Sequence, residues 1–445
     1  MFRLVLWIAC CFGFAWLFRR RIRWAFAGIL GVWMLVPTVG SPLITGVDSG
    51  ALSMHAASWL IFAVFTVRLL HDPVSLRRVL GREFFFFMVL ALVVLAAFLA
   101  SRSSPDGGGM VLLVDQILAP VLFFLILLSA ALDDPDLVTA LRTMLLTLVA
   151  VTCVIALIQW LTHSVLFYEE GFLTQYWFNP ETDRWMGTLD QPLALSLAIC
   201  VAAPLVAGLK HNLLQALLLL LMITGVLVTQ SRVGLFVVGF SVVAVVLFAK
   251  RRVWVRIVFL VVLSVATWFI VQSPLVAGVA ERLEDDTGSA EARARALEYF
   301  VAHWSDYFIA GQGIGASYKV AVQGGLQTSF ENPLVMYSID FGILFALLYF
   351  GAMAYLVLKH APRHHFRGLT LAGLLAVVVP QTYSSLATRS AAAILIWTVF
   401  AMLVMAGDEV VRQGQLLREA QRYPELPAAP YEGAVRERDQ AGRRP

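Results

Sequence analysis

Apolar blocks of about twenty residues, rich in Leu, Val, Ala and Phe, recur along this chain almost from end to end. As a helix rising 1.5 Å per residue, each block is long enough to span roughly 30 Å of hydrocarbon. A water-soluble fold could not hide them. Of the 445 residues 60% are hydrophobic and 14% charged, whereas soluble domains carry about a quarter charged residues. A transmembrane barrel would need shorter, alternating segments, which this sequence lacks. The expected fold class is therefore an all-α polytopic membrane protein.

Thirteen apolar runs can be placed, near 3–18, 24–40, 51–70, 84–100, 110–131, 138–161, 191–209, 212–229, 233–249, 257–275, 333–358, 368–385 and 390–406. The first is the weakest, so the expectation is about 12–13 transmembrane helices. Met1 to Phe18 is followed by Arg19, Arg20, Arg21 and Arg23 with no small-residue cleavage site, which reads as a retained first span. Cys10, Cys11, Cys153 and Cys200 lie inside apolar runs without metal-ligand or disulfide spacing, and are expected as buried packing residues.

The net charge of +4 is small and gives no reason to expect nucleic acid as a partner. Where the charges sit is more informative. One set of interhelical segments holds Arg19–Arg23, Arg68, Arg77, Arg78, Arg82, Arg142, Lys210, Lys250–Arg252, Arg256, Lys359, Arg363 and Arg367. The alternate set holds Arg102, Arg184, Arg232, Arg282, Arg293, Arg295, Lys319 and Arg389, although it contains the two longest loops. The positive-inside rule puts the first set in the cytoplasm and both long loops outside. The organisation that follows is 1–161, N-terminal transmembrane helices; 162–190, first outer loop; 191–275, central transmembrane helices; 276–332, long outer loop with an amphipathic helix; 333–406, C-terminal transmembrane helices; and 407–445, a cytoplasmic tail with a short helix and then disorder. In the long loop Ala294, Leu297, Val301, Trp304 and Phe308 recur at spacings of three and four, the apolar face of a helix lying on the membrane surface or on the spans.

Arginines on the outer side need a reason beyond topology. Arg232, in the hinge Thr229-Gln230-Ser231-Arg232-Val233-Gly234, can offer forked donors to phosphate or carboxylate oxygens, or snorkel to lipid headgroups. Arg293 and Arg295 can be surface charges, or can join Arg232 and Arg184 in one positive cleft of the kind a diphosphate needs. Gly311-Gln312-Gly313-Ile314-Gly315 superficially resembles a dinucleotide loop, but follows no predicted strand, and a flexible turn is expected instead. Glu331 opens the next span. It can stabilise the start of that helix, or act as a general base whose pKa is raised by partial burial, or position an acceptor. Asp340 can be its helical neighbour or face the bundle interior, and Asp115 in the fifth span is equally ambiguous. Tyr176, Trp177, Trp185 and Trp304 can stack on sugar rings or serve as interfacial aromatics.

The ordered series of Arg184-Trp185-Met186-Gly187-Thr188, Ser231-Arg232, Arg293, the glycine-rich turn, Glu331-Asn332-Pro333-Leu334 and Asp340-Phe341-Gly342 resembles the O-antigen ligase and polymerase family of multi-span, lipid-linked-donor glycosyltransferases. The resemblance covers about residues 180–360. It implies an enzyme of the cytoplasmic (inner) membrane, active on its outer face, that moves a glycan from a polyprenyl diphosphate carrier to a sugar hydroxyl, inverting the anomeric centre, with no metal and no cofactor. The partners it implies are that donor, a glycan acceptor, membrane lipids and other polysaccharide-assembly proteins. By this resemblance Arg232, Arg293 and Glu331 are the catalytic candidates, and Arg184, Arg295, Asn332 and Trp185 the substrate-binding ones. One departure stands out, because ligases of the family carry a histidine where this chain has Glu331, which favours a polymerase or another relative. A transporter or lipid flippase, and a non-catalytic scaffold of an envelope-building complex, remain the competing readings. The scarcity of midmembrane charge argues against transport.

Overall fold

The computed structural model describes residues 1–102, 108–175, 178–248, 253–272, 287–326, 329–364 and 366–422. Tyr176, Trp177, Lys250–Arg252, Arg282 and the tail from 423 to 445, all invoked above, lie outside the described residues. Among those described, every regular element is a helix, and the chain is an all-α polytopic membrane protein. Five helices are long and apolar enough to cross a membrane alone, or up to seven if two sharply bent pairs each count once. The other apolar runs form helices of 10–17 residues, so helix length by itself does not establish the expected twelve to thirteen crossings.

Burial separates the middle of the bundle from its rim. The windows in Gly109–Ala131 and Ala392–Val411 are each 78% buried, against 28% for Phe84–Ser101. A helix apolar all round belongs in a core, and these two pack on each other with Phe124, Trp397 and Phe400 between neighbours. Trp397 Nε1 donates to Tyr349 Oη at 3.2 Å, so the indole proton is satisfied inside the apolar layer.

The bundle has two chemically distinct ends. At one, ion pairs join separate helices: Arg68 Nη2 to Asp133 Oδ2 at 2.8 Å, Lys359 Nζ to Glu83 Oε2 at 2.6 Å, and Arg23 to Asp134. At the other lie the long connections. Thr188 Oγ1 donates to Met34 O at 2.7 Å and Thr38 N to Asp190 Oδ1 at 2.6 Å, fixing the first long connection to the far end of helix Ile22–Leu35.

Several apolar runs are not single helices. The run 24–40 stops at Leu35 before Pro37, and the chain turns 98° into Thr38–Thr45. Asp72 caps Pro73–Arg82 through a 3.1 Å bond from Ser75 N, and that helix leaves Ala56–His71 at 101°. The run 333–358 breaks at Gly342 into Pro333–Phe341 and Ile343–His360. Gly342 has φ 108°, and a Cβ there would overlap the Ile309 carbonyl, so only glycine fits. The run 368–385 stops at Val378, and residues 379–391 form short turns rather than a helix end. Irregular backbone within an apolar run is tolerated where it is buried in protein or lines a cavity. Cys10 is exposed, a correction to the packing role expected of it, while Cys11, Cys153 and Cys200 are buried.

Candidate active site

The hinge between helices Asn212–Val228 and Arg232–Phe248 is built by local chemistry. Gln230 turns the chain with φ 53°, and Ser231 then caps the second helix by accepting from Gly234 N at 3.1 Å. Ser231 Oγ also bonds Tyr383 Oη at 2.7 Å, and Ser196 Oγ reaches the same hydroxyl at 3.1 Å. Arg232, half-buried, is thereby fixed as the first residue of its helix. That end already carries the positive pole of the helix, so a guanidinium there adds to a field that favours an anion.

The segment after the first long connection closes over this hinge. Arg184 Nε donates to Thr229 O at 3.2 Å, Trp185 N to Val228 O at 3.2 Å, and Gln230 Nε2 to Thr182 O at 3.1 Å. Gly187, with φ 65°, exchanges two 2.8 Å bonds with the side chain of Gln159. Trp185 is buried, and its indole donates to Asp183 Oδ1 at 2.8 Å. Its ring therefore has no open face for a sugar, which corrects the stacking expected of it. Arg184 and Trp185 position the hinge.

Beside the hinge opens a cavity of about 280 Å³ whose walls come from four separate stretches of chain. Val233 comes from the hinge helix, Arg293 and Leu297 from helix Thr287–His303, Phe330, Glu331 and Asn332 from the re-entering loop with Val335 from the helix it leads into, and Gln381 and Thr382 from the broken segment. Arg293 Nε donates to Glu331 Oε2 at 2.8 Å inside it. Glu331 has φ 48°, the left-handed region that a non-glycine residue occupies at a cost of about 1–2 kcal/mol. Asn332 Oδ1 accepts from Val335 N at 3.2 Å, so the helix start expected of Glu331 is supplied by its neighbour. That leaves the Glu331 carboxylate to the cavity and to Arg293.

The structure brings Arg293, Glu331 and Asn332 together, with Arg232 one residue from the lining Val233. Arg184 and Arg295 are not among the lining residues. Arg295 is two positions from Arg293, about 200° round the helix, so the two cannot face one cavity. Gln381 and Thr382 were missed, because the run 368–385 reads as one span. The signal was Pro380-Gln381-Thr382 followed by Ser384-Ser385, a polar break within an apolar run. Gln381 Oε1 accepts from Leu334 N at 3.3 Å, joining the broken segment to the helix that follows Glu331.

The loop helix is amphipathic, but beyond Leu297, which lines the cavity, its bulky apolar side chains are exposed rather than packed on the spans. Ala292, Ala296 and Tyr307 are buried against the protein, while Leu297, Val301, Trp304 and Phe308 are each at least 51% exposed. Small alanines allow the close approach and leave the bulky side chains outward. Of the two surfaces expected to receive this face, the spans do not cover Val301, Trp304 or Phe308. Phe308 O accepts from Leu344 N at 3.3 Å, beside the exposed Leu344 and Leu347 at the start of helix Ile343–His360.

The glycine-rich turn is clamped, a correction to the flexible turn expected. Gln312 N donates to Ile339 O at 2.8 Å and Gly313 N to Asp340 O at 3.0 Å, and a Cβ on Gly311 would overlap the Asp340–Phe341 backbone. Asp340 faces the interior, where it accepts from Ser317 N at 2.9 Å. Asp115, on a π-helical turn over Val114–Leu118, accepts from His55 N at 3.0 Å, Ser58 Oγ at 2.7 Å and Arg389 Nε at 3.1 Å. Both carboxylates are buried and hydrogen-bonded, as structural groups are, and Asp115 is also paired with the Arg389 guanidinium.

Residues 217–358 match the family model described as O-antigen ligase. Over that segment the chain is similar to the O-antigen ligase family. The matched segment, about a third of the chain, contains the hinge, the loop helix, the clamped turn and Glu331. The match supports an envelope-polysaccharide function of the O-antigen ligase/polymerase type. No curated protein matches the chain in sequence.

Proposed function

We propose that this chain transfers a glycan from a polyprenyl diphosphate carrier to a sugar hydroxyl at the outer face of the cytoplasmic membrane, as a polymerase. The observation that carries the reading is the Arg293–Glu331 pair at 2.8 Å inside a cavity also walled by the hinge helix of Arg232. The pair is half-exposed on the arginine side, so its two charges hold each other weakly. A diphosphate entering the cavity would take Arg293 from Glu331, because it offers more charge and more acceptor oxygens. Glu331 would then be free to accept a proton.

The transfer follows from that exchange. The acceptor hydroxyl oxygen attacks the anomeric carbon, its proton passes to the Glu331 carboxylate, and the bond to the diphosphate oxygen breaks with its electron pair leaving on the diphosphate. Attack opposite to the leaving group inverts the centre. Arg293, with Arg232 at its helix N-terminus, stabilises the charge that accumulates on the leaving group, the larger contribution of the two. Asn332 and Gln381 would orient the acceptor. The exposed apolar face of the loop helix fits a donor whose anchor remains in the bilayer.

Complementation of a polymer-deficient strain with Arg232→Ala, Arg293→Ala and Glu331→Ala tests this. Expected is loss of polymer at parental expression; normal polymer length in all three overturns it. The material left in a null strain separates the two activities, since single repeat units on lipid indicate a lost polymerase and long chains on lipid a lost ligase.

A further inference from the structure

The end of the bundle opposite the Arg293–Glu331 cavity carries a second, larger cavity of about 550 Å³. Its lining includes five guanidiniums, from Arg19, Arg20, Arg21, Arg23 and Arg68, against two carboxylates. Both carboxylates are already engaged: Asp134 with Arg23, and Asp133 with Arg68 at 2.8 Å, while Asp72 also pairs with Arg68 at 2.7 Å. Arg19 donates to Trp16 O at 2.8 Å and lies over the Trp16 ring, which leaves its charge in place. Arg20 and Arg21 are exposed and pair with no carboxylate among the described residues. The cavity therefore keeps a surplus of positive charge.

Its position says what kind of anion would arrive. It lies between the ends of helices Phe2–Leu17 and Ile22–Leu35, whose exposed Trp16 and Trp24 flank the arginines. Exposed tryptophans at helix ends mark the boundary between hydrocarbon and water. A free anion would gain nothing from those rings. A lipid headgroup would place its phosphate among the guanidiniums while its chains lie along the tryptophans and the apolar helix surfaces.

We propose that this cavity is a binding site for the phosphate of an anionic phospholipid headgroup, with Arg20 and Arg21 as the principal donors and Arg23 and Arg68 held in place by Asp134 and Asp133. The site does not depend on the transfer reaction proposed above. Two arginines near an anionic surface are each worth about fivefold in affinity.

The test uses the full-length protein, delipidated in detergent and titrated with phosphatidylglycerol or phosphatidylcholine, with bound lipid counted by native mass spectrometry. Expected is preferential retention of phosphatidylglycerol, reduced by about tenfold or more in the double variant Arg20→Gln/Arg21→Gln. Arg77→Gln/Arg78→Gln, which removes two exposed arginines outside the cavity, is expected to retain it. Equal retention of the two lipids, undiminished retention in Arg20→Gln/Arg21→Gln, or an equal loss in the Arg77/Arg78 control overturns the proposal. Inorganic phosphate competing as well as the lipid at equal concentration also overturns it, by assigning the site to free phosphate. All four substituted arginines are solvent-exposed, so folding is not at stake.

Discussion

Glu331 offers a way to separate stability from catalysis in a single side chain. Its ion pair with Arg293 joins side chains that are 27% and 50% exposed, and such a pair contributes at most about 1 kcal/mol. Its backbone, at φ 48°, costs about 1–2 kcal/mol that glycine would not incur. Glu331→Gln is therefore expected to lower the unfolding temperature by no more than about 3 °C. Glu331→Gly should unfold at the parental temperature or above it, since relief of the backbone offsets the lost pair. In transfer from a polyprenyl diphosphate donor, both variants should lose about 10²–10⁴-fold in kcat, the usual contribution of a positioned general base. KM for the donor should stay level or fall, because Arg293 no longer has a carboxylate to release before it binds the diphosphate. The assay is single-turnover transfer by protein in lipid nanodiscs, alongside thermal unfolding followed by tryptophan fluorescence. A Glu331→Gly protein that is stable and transfers within about threefold of the parent would refute the assignment of Glu331 as the base, whatever its position in the cavity.

Other expectations follow from the same geometry. Trp185→Ala should cost about 3–5 kcal/mol and show as lost folded protein, whereas Trp185→Phe should retain donor KM; a raised KM in a fully folded Trp185→Phe would restore a sugar-binding role. A nitroxide attached at Val301→Cys should report a depth of roughly 5–10 Å below the headgroups in power-saturation measurements, and full access to water would show that the outward face does not meet the bilayer. Asp115→Ala removes the acceptor of His55 N, Ser58 Oγ and Arg389 Nε, and should destabilise by about 3–5 kcal/mol, read as lower yield and earlier thermal unfolding. An unchanged unfolding temperature would show that water replaces the carboxylate.

Much of the fold could be read from hydropathy because a bilayer leaves the backbone few choices. The runs 84–100, 110–131 and 138–161 correspond within two residues to helical segments. Failures cluster where one apolar run hides a break. Gly342 and the stretch 379–391 look like span interior by composition, yet both are where other segments press in: Ile309 against Gly342, and Leu334 onto Gln381. Hydropathy has no term for such contacts. The amphipathic helix was legible in its periodicity, but periodicity gives a stripe and not what the stripe faces.

By itself the sequence determined that the chain lies in a membrane, that its arginines divide into two sets, and that Ser231-Arg232, Arg293 and Glu331 come in a family order. These depend on local composition and spacing, which are written along the chain. Only the tertiary structure decided that Arg293 rather than Arg295 meets Glu331, that Trp185 is buried under the hinge, and that Gln381 and Thr382 complete the cavity. The cavity assembles residues from Val233 to Thr382, and their approach depends on how irregular turns stack at one end of the bundle. Such stacking is set by close contacts between distant segments, a property of the packed chain that no single window of sequence carries.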